Sequence, residues 1–338
     1  MENNNIMNPN AKAIPIDEEN EKPRAASFGK PVSTQMDFLR RTLVQPKALI
    51  GLVILTIFIA MAVFAPVIAP HDPSQYVGLP NQPPSPEYWL GTTGQGQDVF
   101  AQLVWGARIS LLIGFSVGIL STLIGMVIGM VSGYMPGIID GVLNLFTNVF
   151  LLIPGLPLLI TLASFLPQGM TTVILVLTFT GWSWPARVFR SQVLCLREKD
   201  FVSASVISGE GSSRIIFAEI LPNMLSLVMV SLFGAVIYTI GADAGLAFLG
   251  FENINIVSWG TMLYWASNSS ALLQEAWWTF LPPGLCIALV SFGTTMLIYA
   301  MDEVTNPRLR SEKEITRVLR KYHLSSKRST PVVKEPLA

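Results

Sequence analysis

Residues that could carry out catalysis or hold a metal ion are few in this chain and lie far apart. The two histidines, His71 and His323, are separated by most of the sequence, so they lack the spacing of a zinc site. The two cysteines, Cys195 and Cys286, form neither a metal-binding pattern nor a disulfide framework. The only Gly-Lys pair precedes Pro31 and lacks the other residues of a phosphate-binding loop. We therefore expect that the chain is not an enzyme, holds no metal and binds no cofactor itself.

Ionisable residues inside apolar segments are the remaining sign of chemistry, because they often mark ion pathways in membranes. Asp243, directly after an uncharged run, is the main example. A stand-alone secondary transporter, the alternative class of function, would need several such residues near the middle of the membrane. Their scarcity predicts that the driving force comes from another protein, and Asp243 is then expected to mark the outer end of its segment.

The elements that carry these residues are long, uncharged and apolar. Of the 338 residues, 51% are apolar and 13% are charged, whereas soluble domains average about 25% charged residues. The apolar residues form blocks that match the roughly 20 residues needed to cross a bilayer as a helix. We predict an all-α polytopic membrane protein with six transmembrane helices, at about residues 49–70, 109–133, 141–166, 170–194, 222–242 and 276–301.

Glycine and proline within these spans predict where helices approach each other and where they bend. In the second span, glycines recur at four-residue spacings, which place small residues on one helix face. The third span contains Pro154 and Pro157, and a proline inside a spanning helix removes a backbone hydrogen bond and kinks the helix. The glycines of the second span are Gly114, Gly118, Gly125, Gly129 and Gly133.

Basic residues are confined to segments on one side of the predicted membrane. All 22 Lys and Arg residues except Arg108 lie before residue 48, between residues 187 and 214, or after residue 301. The connections 71–107 and 251–275 contain none. Because basic residues are retained in the cytoplasm during insertion, both termini and the loop 197–222 are predicted to be cytoplasmic. A disordered tail at 1–37 and a basic tail at 311–338, which does not indicate nucleic-acid binding, are expected to flank a membrane domain at 38–310.

The inner loop 197–222 has the most specific pattern in the chain. Its small residues would let a helix backbone sit deep in a groove of another protein. Gly209 suits a helix end, where a positive φ is often required, Ser212 or Ser213 is expected to cap the helix that restarts there, and Pro222 fits the first turn of the fifth span. A plain solvated loop is the alternative, although ordinary inner loops are shorter. The small residues are Ser203, Ala204, Ser205, Ser208, Gly209 and Gly211.

Other stretches join this loop in a resemblance to a known family. The small residues, the following glycine and the closing Leu221-Pro222 resemble the Glu-Ala-Ala motif of ABC importer permeases. The match is best to the second, C-type permease subunit of the dipeptide, oligopeptide and nickel family, and it covers about residues 38–310 in order and with consistent spacing. The other matching stretches include residues 83–92, 98–100, 105–111, 246–251, 258–260, 283–285 and 302–308.

The resemblance implies the type I ABC importer permease fold in the plasma (inner) membrane of a prokaryote, together with several partners. The partners would be a second homologous permease in a heterodimer, two ABC ATPase subunits that bind ATP and Mg, and an extracytoplasmic substrate-binding protein. The outer-loop residues that dock the binding protein would be Asp98, Arg108, Asp243 and Trp259. The residues that couple the pore to the ATPase, in what we call the coupling loop (residues 197–222), would be Ser203, Ala204, Ser205, Gly209, Glu210, Gly211, Arg214, Leu221 and Pro222.

The chain departs from the family pattern at two places. Ser203 and Ser205 replace the Glu and the second Ala of the motif, so contacts with the ATPase would rest on shape and on neighbours such as Glu210. Residues 94–98, Gly-Gln-Gly-Gln-Asp, replace the more usual Leu-Gly-Arg-Asp pattern. The expected substrates are oligopeptides or dipeptides, with oligosaccharides or nickel chelates as the alternatives.

Overall fold

The computed structural model describes residues 45–305, and their secondary structure is helical apart from two isolated β-bridges. The predicted tails 1–37 and 311–338 lie outside the described residues. Between α9 and α10 the backbone forms a π-helical turn (Ile215–Ile220), and a 3₁₀ turn (Trp277–Thr279) precedes the last helix. The helices are α1 (Pro46–Val63), α2 (Ala65–Ile68), α3 (Val99–Tyr134), α4 (Ile138–Leu152), α5 (Gly155–Phe165), α6 (Met170–Gly181), α7 (Ser183–Arg197), α8 (Asp200–Ile207), α9 (Ser212–Arg214), α10 (Leu221–Asn223), α11 (Leu225–Phe248), α12 (Trp259–Asn268) and α13 (Leu281–Thr305).

Four segments within this range are long and apolar enough to cross a membrane: α1, α3, α11 and the stretch Trp277–Glu303, which includes most of α13. A fifth is obtained if α4 and α5, which meet at 88°, are counted as one broken span. Pro154 lies at this break as the N-cap of α5, so the predicted kink in the third span is confirmed. The predicted fourth span, 170–194, corresponds to α6 and α7, and each is shorter than the roughly 20 residues that cross a bilayer.

Helix α3 begins earlier than the sequence pattern indicated. It starts at Val99, whereas the apolar block predicted a start near residue 109. The Asp98 carboxylate accepts a hydrogen bond from the Phe100 backbone N–H at 2.9 Å, which satisfies a donor in the first helical turn. The first ten residues of α3 therefore extend a helix into what was predicted as outer loop, and α3 becomes the longest element of the described chain.

The glycines of α3 bring two different helices into close contact with it. Gly114 and Gly118 face Ile240 and Val236 of α11, while Gly125, Gly129 and Gly133 face α7. A β-carbon at any of these glycines would lie under 3 Å from an atom of the facing helix. The predicted small-residue face is thus confirmed as a packing face, and it is divided between α11 along one half of α3 and α7 along the other.

The connection between α2 and α3 is folded against the start of α13. The Trp278 indole N–H donates to the Thr92 carbonyl oxygen at 3.1 Å. The Thr92 hydroxyl donates to the Leu79 carbonyl oxygen at 2.6 Å, and Gly91 takes a positive φ of 71° where the chain passes Trp278. These contacts give the predicted outer loop 71–107 an ordered structure.

Candidate functional site

The coupling loop contains a short helix that ends in a sharp glycine turn. Helix α8 runs to Ile207, and Gly209 has a φ of 78°. The Glu210 N–H donates to the Ser205 carbonyl at 3.1 Å and the Gly209 N–H donates to the Val206 carbonyl at 3.0 Å. This pair of bonds is the Schellman motif, which favours glycine at the left-handed position. The predicted role of Gly209 at a helix end is confirmed, because α8 ends at Ile207 and Gly209 forms the turn that follows.

One side of the coupling loop is exposed and presents small or apolar side chains. The Ile207 side chain is 87% exposed and that of Val206 is 54% exposed. A β-carbon at Gly209 or Gly211 would meet no atom within 4 Å. Packing within this chain therefore gives no reason for glycine at position 211. The exposed tip is therefore apolar, free of bulky side chains at its two glycines, and open on this side.

The other side of the coupling loop is anchored in the helix bundle. Buried residues of α8, the π-helical turn and Met224 form one apolar cluster with residues of α3 and α7. Since α7 ends at Arg197 and α8 begins at Asp200, the coupling loop is also joined to α7 by only two residues. The coupling loop is therefore connected to α3 and α7 both by packing and by the backbone. The buried members of the cluster are Val202, Ile215, Ile216, Ile220, Met224, Met126, Met130, Phe189 and Val193.

The turn between α8 and α9 lacks the expected serine cap. Gly211 is the N-cap of α9 and makes no side-chain bond, so neither Ser212 nor Ser213 caps this helix as predicted. The reason is register, because both serines lie inside α9 rather than before it. Instead, Arg214 Nε lies 3.4 Å from Glu210 Oε1. Arg214 is largely exposed, and a pair of this kind contributes little to stability.

The loop closes through the π-helical turn and Pro222. The Leu221 N–H donates to the Ile216 carbonyl five residues earlier, and Pro222 lies in the first turn of α10. Proline suits the helical φ at this position but donates no backbone hydrogen bond to the preceding turn. π-helical turns are rare and frequently occur at functional sites. Leu221 is partly buried and Pro222 is exposed. The Leu-Pro pair that ends the coupling loop therefore lies at the boundary between its anchored side and its exposed side.

An ion pair that the sequence interpretation missed fixes the helices behind this loop. Arg190 Nε donates to Asp140 Oδ1 at 2.7 Å and Arg190 Nη2 donates to Asp140 Oδ2 at 2.8 Å. The Ser132 hydroxyl donates to the same carboxylate at 2.6 Å. Three helices, α3, α4 and α7, are thereby tied together by one carboxylate. The sequence could have suggested this pair, because ionisable residues in membrane segments commonly pair with one another.

The four residues expected to dock a binding protein have different environments. Asp98 is the N-cap of α3, and burial raises the pKa of its carboxyl above the usual value. Arg108 is exposed on α3. Trp259 is fully buried: its indole N–H donates to the Leu103 carbonyl at 3.1 Å, and its ring meets Phe58 edge-on at 5.6 Å.

Asp243 is also buried, 1% exposed within α11, and does not mark an exposed helix end. Neither Asp243 nor Trp259 offers a surface to a soluble protein, so both are corrected to interior residues. Glu252, which follows α11 and is fully buried, was missed because nothing in its neighbours indicated burial. Among residues 45–305, no three His, Cys, Asp or Glu side chains lie together as metal ligands would.

Comparison with known proteins identifies the chain. Residues 125–311 match the model of the family described as binding-protein-dependent transport system inner membrane component. The chain belongs to this family. Residues 34–84 match a second model, the N-terminal TM domain of oligopeptide transport permease C. The resemblance seen in the sequence is thus confirmed.

Individual members of the family cover most of this chain. The oligopeptide transport system permease protein OppC of Bacillus subtilis is 34% identical over 86% of this chain and 97% of its own length. The dipeptide transport system permease protein DppC of the same organism is 34% identical over 86% of this chain and 91% of its own length. A DppC of Alkalihalophilus pseudofirmus is 32% identical over 78% of this chain and 86% of its own length.

As a binding-protein-dependent inner membrane component, the protein is a non-catalytic transport subunit that crosses the inner membrane more than once. Membership implies that a binding protein and an ATPase act with it. It also argues against the alternative of a stand-alone secondary transporter, because the energy source in such a system lies on another subunit.

Proposed function

We propose that the protein is one of two permease subunits of an ATP-driven importer of oligopeptides or dipeptides. The peptide substrates are supported by the relatives, which are named as oligopeptide and dipeptide permeases and whose lengths the chain covers almost completely. They favour peptides over the oligosaccharides and nickel chelates that the sequence pattern left open. A second, homologous permease would complete the pore, two ATPase subunits would bind ATP and Mg, and an extracytoplasmic binding protein would deliver the peptide.

The proposed topology has six spans with both termini in the cytoplasm. Helices α6 and α7 together form the fourth span along the chain and bring the number of spans to six. They can act as one span because only Trp182 separates them and its backbone is itself helical. The distribution of 21 of the 22 basic residues on one predicted side supports this orientation. The coupling loop then faces the cytoplasm, and the folded connection before α3 faces outward.

The observation that carries the proposal is the two-sided structure of the coupling loop. Its exposed tip, with Ile207 and the unhindered Gly209 and Gly211, would enter a groove on the ATPase. Its anchored side would pass any movement to α3 and α7 through the buried cluster around Met130 and Ile216. The tip must fit the ATP-closed and ATP-open ATPase with different affinities, since a ligand shifts an equilibrium only by its differential affinity.

Reconstitution tests this function directly. The complete transporter, reconstituted in liposomes with its binding protein, should take up labelled peptide only when ATP and the binding protein are both present. Peptide uptake by this chain alone under an ion gradient would defeat the proposal. Uptake of an oligosaccharide or a nickel chelate, but not of peptide, would support an ATP-driven importer and overturn the proposed peptide substrate.

The coupling loop has a matched pair of variants. Gly209→Glu places a charged side chain on the exposed tip and should uncouple ATP hydrolysis from peptide uptake while the subunit still inserts and assembles. Gly209→Asn is the control, because asparagine tolerates positive φ better than most residues and is smaller and uncharged. If Gly209→Glu and Gly209→Asn support equal uptake at equal expression, the tip has no role in coupling.

A further inference from the structure

Two carboxyl side chains are buried together where α11 ends. Asp243 lies in the last turns of α11 and is 1% exposed, and Glu252 lies just beyond the helix and is fully buried. They are close enough for their charges to interact. Asp243 Oδ1 and both carboxylate oxygens of Glu252 have no hydrogen-bond partner within the described residues. Three unpaired carboxyl oxygens at one buried place need a ligand, because a buried carboxylate without a partner is strongly disfavoured.

A glycine turn brings the two acids together. Gly250 has a φ of 79°, its N–H donates to the Ala247 carbonyl at 2.9 Å, and the Phe251 N–H donates to the Leu246 carbonyl at 3.0 Å. This is again the Schellman motif, which reverses the chain at the end of a helix. Residues after Gly250 therefore run back beside α11, and Leu246 is three residues from Asp243 and shares its helix face.

The loop that carries Glu252 is fastened at several points, so the side chain cannot easily turn out to solvent. The Ser258 hydroxyl accepts from the Thr261 N–H at 3.1 Å, and the Thr261 hydroxyl oxygen accepts from the Ser258 N–H at 2.8 Å. The Trp265 indole N–H donates to the Ile254 carbonyl at 3.1 Å, and the Trp259 N–H donates to the Ser110 hydroxyl oxygen at 3.1 Å. The loop is thereby held to α12 and α3 while Glu252 remains inside.

No cation is present to neutralise the pair from the surrounding elements that the structure describes. On the elements that pack against α11, the charged or titratable groups are Arg108 and Tyr134 of α3, Tyr264 of α12, and Cys286, Tyr299, Asp302 and Glu303 of α13; Tyr238 lies on α11 itself, and α5 and α6 carry none. Arg108 is exposed, and neither acid forms a salt bridge within residues 45–305. Two like charges at one buried site cannot both be ionised at little cost, and a proton is the smallest ligand that removes the conflict.

We propose that Asp243 and Glu252 form a proton-binding site that is occupied at neutral pH, and that the bound proton fastens the loop 251–258 to the end of α11. A proton on one carboxyl then removes one of the two negative charges, as in other carboxyl pairs that cannot both ionise. Burial raises the pKa of Glu252 to about 7, which is consistent with a proton held into the neutral range. Loss of the proton would place two negative charges side by side and push the loop away from the helix.

Stability as a function of pH tests the proposal in the assembled transporter. The pKa of Glu252 is raised by folding from 4.5 to about 7, so its contribution to stability is full below about pH 4.5 and is lost as the pH rises through about 7. The wild type should therefore lose thermal stability relative to Glu252→Gln between about pH 5 and about pH 8. Glu87→Gln, at an exposed acid on the preceding outer connection, is the control and should show no such pH-dependent difference from the wild type.

Infrared spectroscopy at neutral pH supplies a second readout that does not depend on unfolding. The wild type should show the carbonyl band of a protonated carboxyl group, and this band should change in position or intensity in Glu252→Gln and in Asp243→Asn. If both variants fail to assemble, the shift of this band on deuteration and its loss at alkaline pH in the wild type decide the question. A stability difference that follows Na⁺ or Ca²⁺ at fixed pH, and not pH, would overturn the proposal in favour of a cation site. A stability difference between the wild type and Glu252→Gln that depends on neither pH nor these cations, together with no carboxyl band, would overturn the proposal and show that Glu252 contributes by packing alone.

Discussion

Replacing Gly129 with alanine should disturb the contact between α3 and α7, the helix that leads into the coupling loop. A β-carbon at this position would lie 2.9 Å from Phe189 Cβ and 3.0 Å from the Arg190 backbone nitrogen, and closer still to the Ala186 carbonyl oxygen. Two of these three atoms belong to the backbone of α7. Flexible side chains therefore cannot relieve the overlap, and α7 itself must move.

The expected cost follows from two opposing effects. Overpacking of this kind typically costs about 1–3 kcal/mol. Alanine in place of glycine within a helix returns about 0.5–1 kcal/mol, so the net destabilisation should be about 1–2 kcal/mol. Gly141→Ala is the matched control: Gly141 lies inside α4, and a β-carbon there would meet no atom within 4 Å. Gly141→Ala should therefore show only the stabilisation of about 0.5–1 kcal/mol that alanine brings to a helix.

Thermal unfolding of the purified transporter, followed together with ATP hydrolysis and peptide uptake, measures both consequences. Gly129→Ala should unfold a few degrees below the wild type and take up less peptide per ATP hydrolysed, because the displaced α7 misplaces α8. Gly141→Ala should match or exceed the wild type in both. A Gly129→Ala variant that is as stable and as well coupled as Gly141→Ala would refute the assignment of this glycine face to helix contact and to coupling.

Two further changes separate interior roles from surface roles. Trp259→Phe should keep the ring contact with Phe58 but leave the Leu103 carbonyl without its donor, which should lower the free energy of unfolding by about 1–3 kcal/mol. The affinity for the binding protein, measured by titration, should stay unchanged. A selective loss of that affinity would show that Trp259 does take part in docking. Asp140→Asn should weaken the bidentate contact with Arg190 by about 1.5–3 kcal/mol. The double variant Asp140→Asn/Arg190→Gln should cost less than the sum of the two single changes, and a double variant that costs the full sum would show that the two side chains do not pair.

The pH-dependent loss at Glu252 can be given a magnitude. A pKa raised from 4.5 to about 7 corresponds to a change in unfolding free energy on the order of 3 kcal/mol across that pH range. The whole of this effect should be absent from Glu252→Gln. Because the two acids interact, Asp243→Asn should also reduce it, and an undiminished effect in Asp243→Asn would show that the two carboxyls act separately.

The local features that could be predicted from the sequence depend on few residues. Gly209 indicated a helix end because its conformational freedom suits the left-handed position, and Pro154 indicated a kink because proline lacks the N–H of a helical bond. The glycine spacing of α3 likewise indicated close helix contact. In each case a single residue type fixes the backbone almost without regard to tertiary structure.

Features that depend on tertiary structure could not be predicted in the same way. Nothing near Glu252 in the sequence shows that the turn at Gly250 brings it back to Asp243, and Asp140 and Arg190 are fifty residues apart. The early start of α3 at Val99 depends on the cap that Asp98 supplies, although residues 99–108 are less apolar than the rest of the helix. Burial of Trp259 likewise follows from its contact with Phe58 on a distant helix.

Site-specific crosslinking is the most direct test of the claim that the coupling loop receives movement from an ATPase. Ile207→Cys, in a background that carries Cys195→Ser because Cys195 is exposed, places one reactive thiol on the exposed tip. We expect it to crosslink to the ATPase subunit, in a manner that changes with bound ATP, and to resist an external membrane-impermeant reagent. Leu79→Cys, exposed on the outer connection, should react with that reagent instead. Labelling of Ile207→Cys from outside, or an active transporter in which it never crosslinks to the ATPase, would contradict this account.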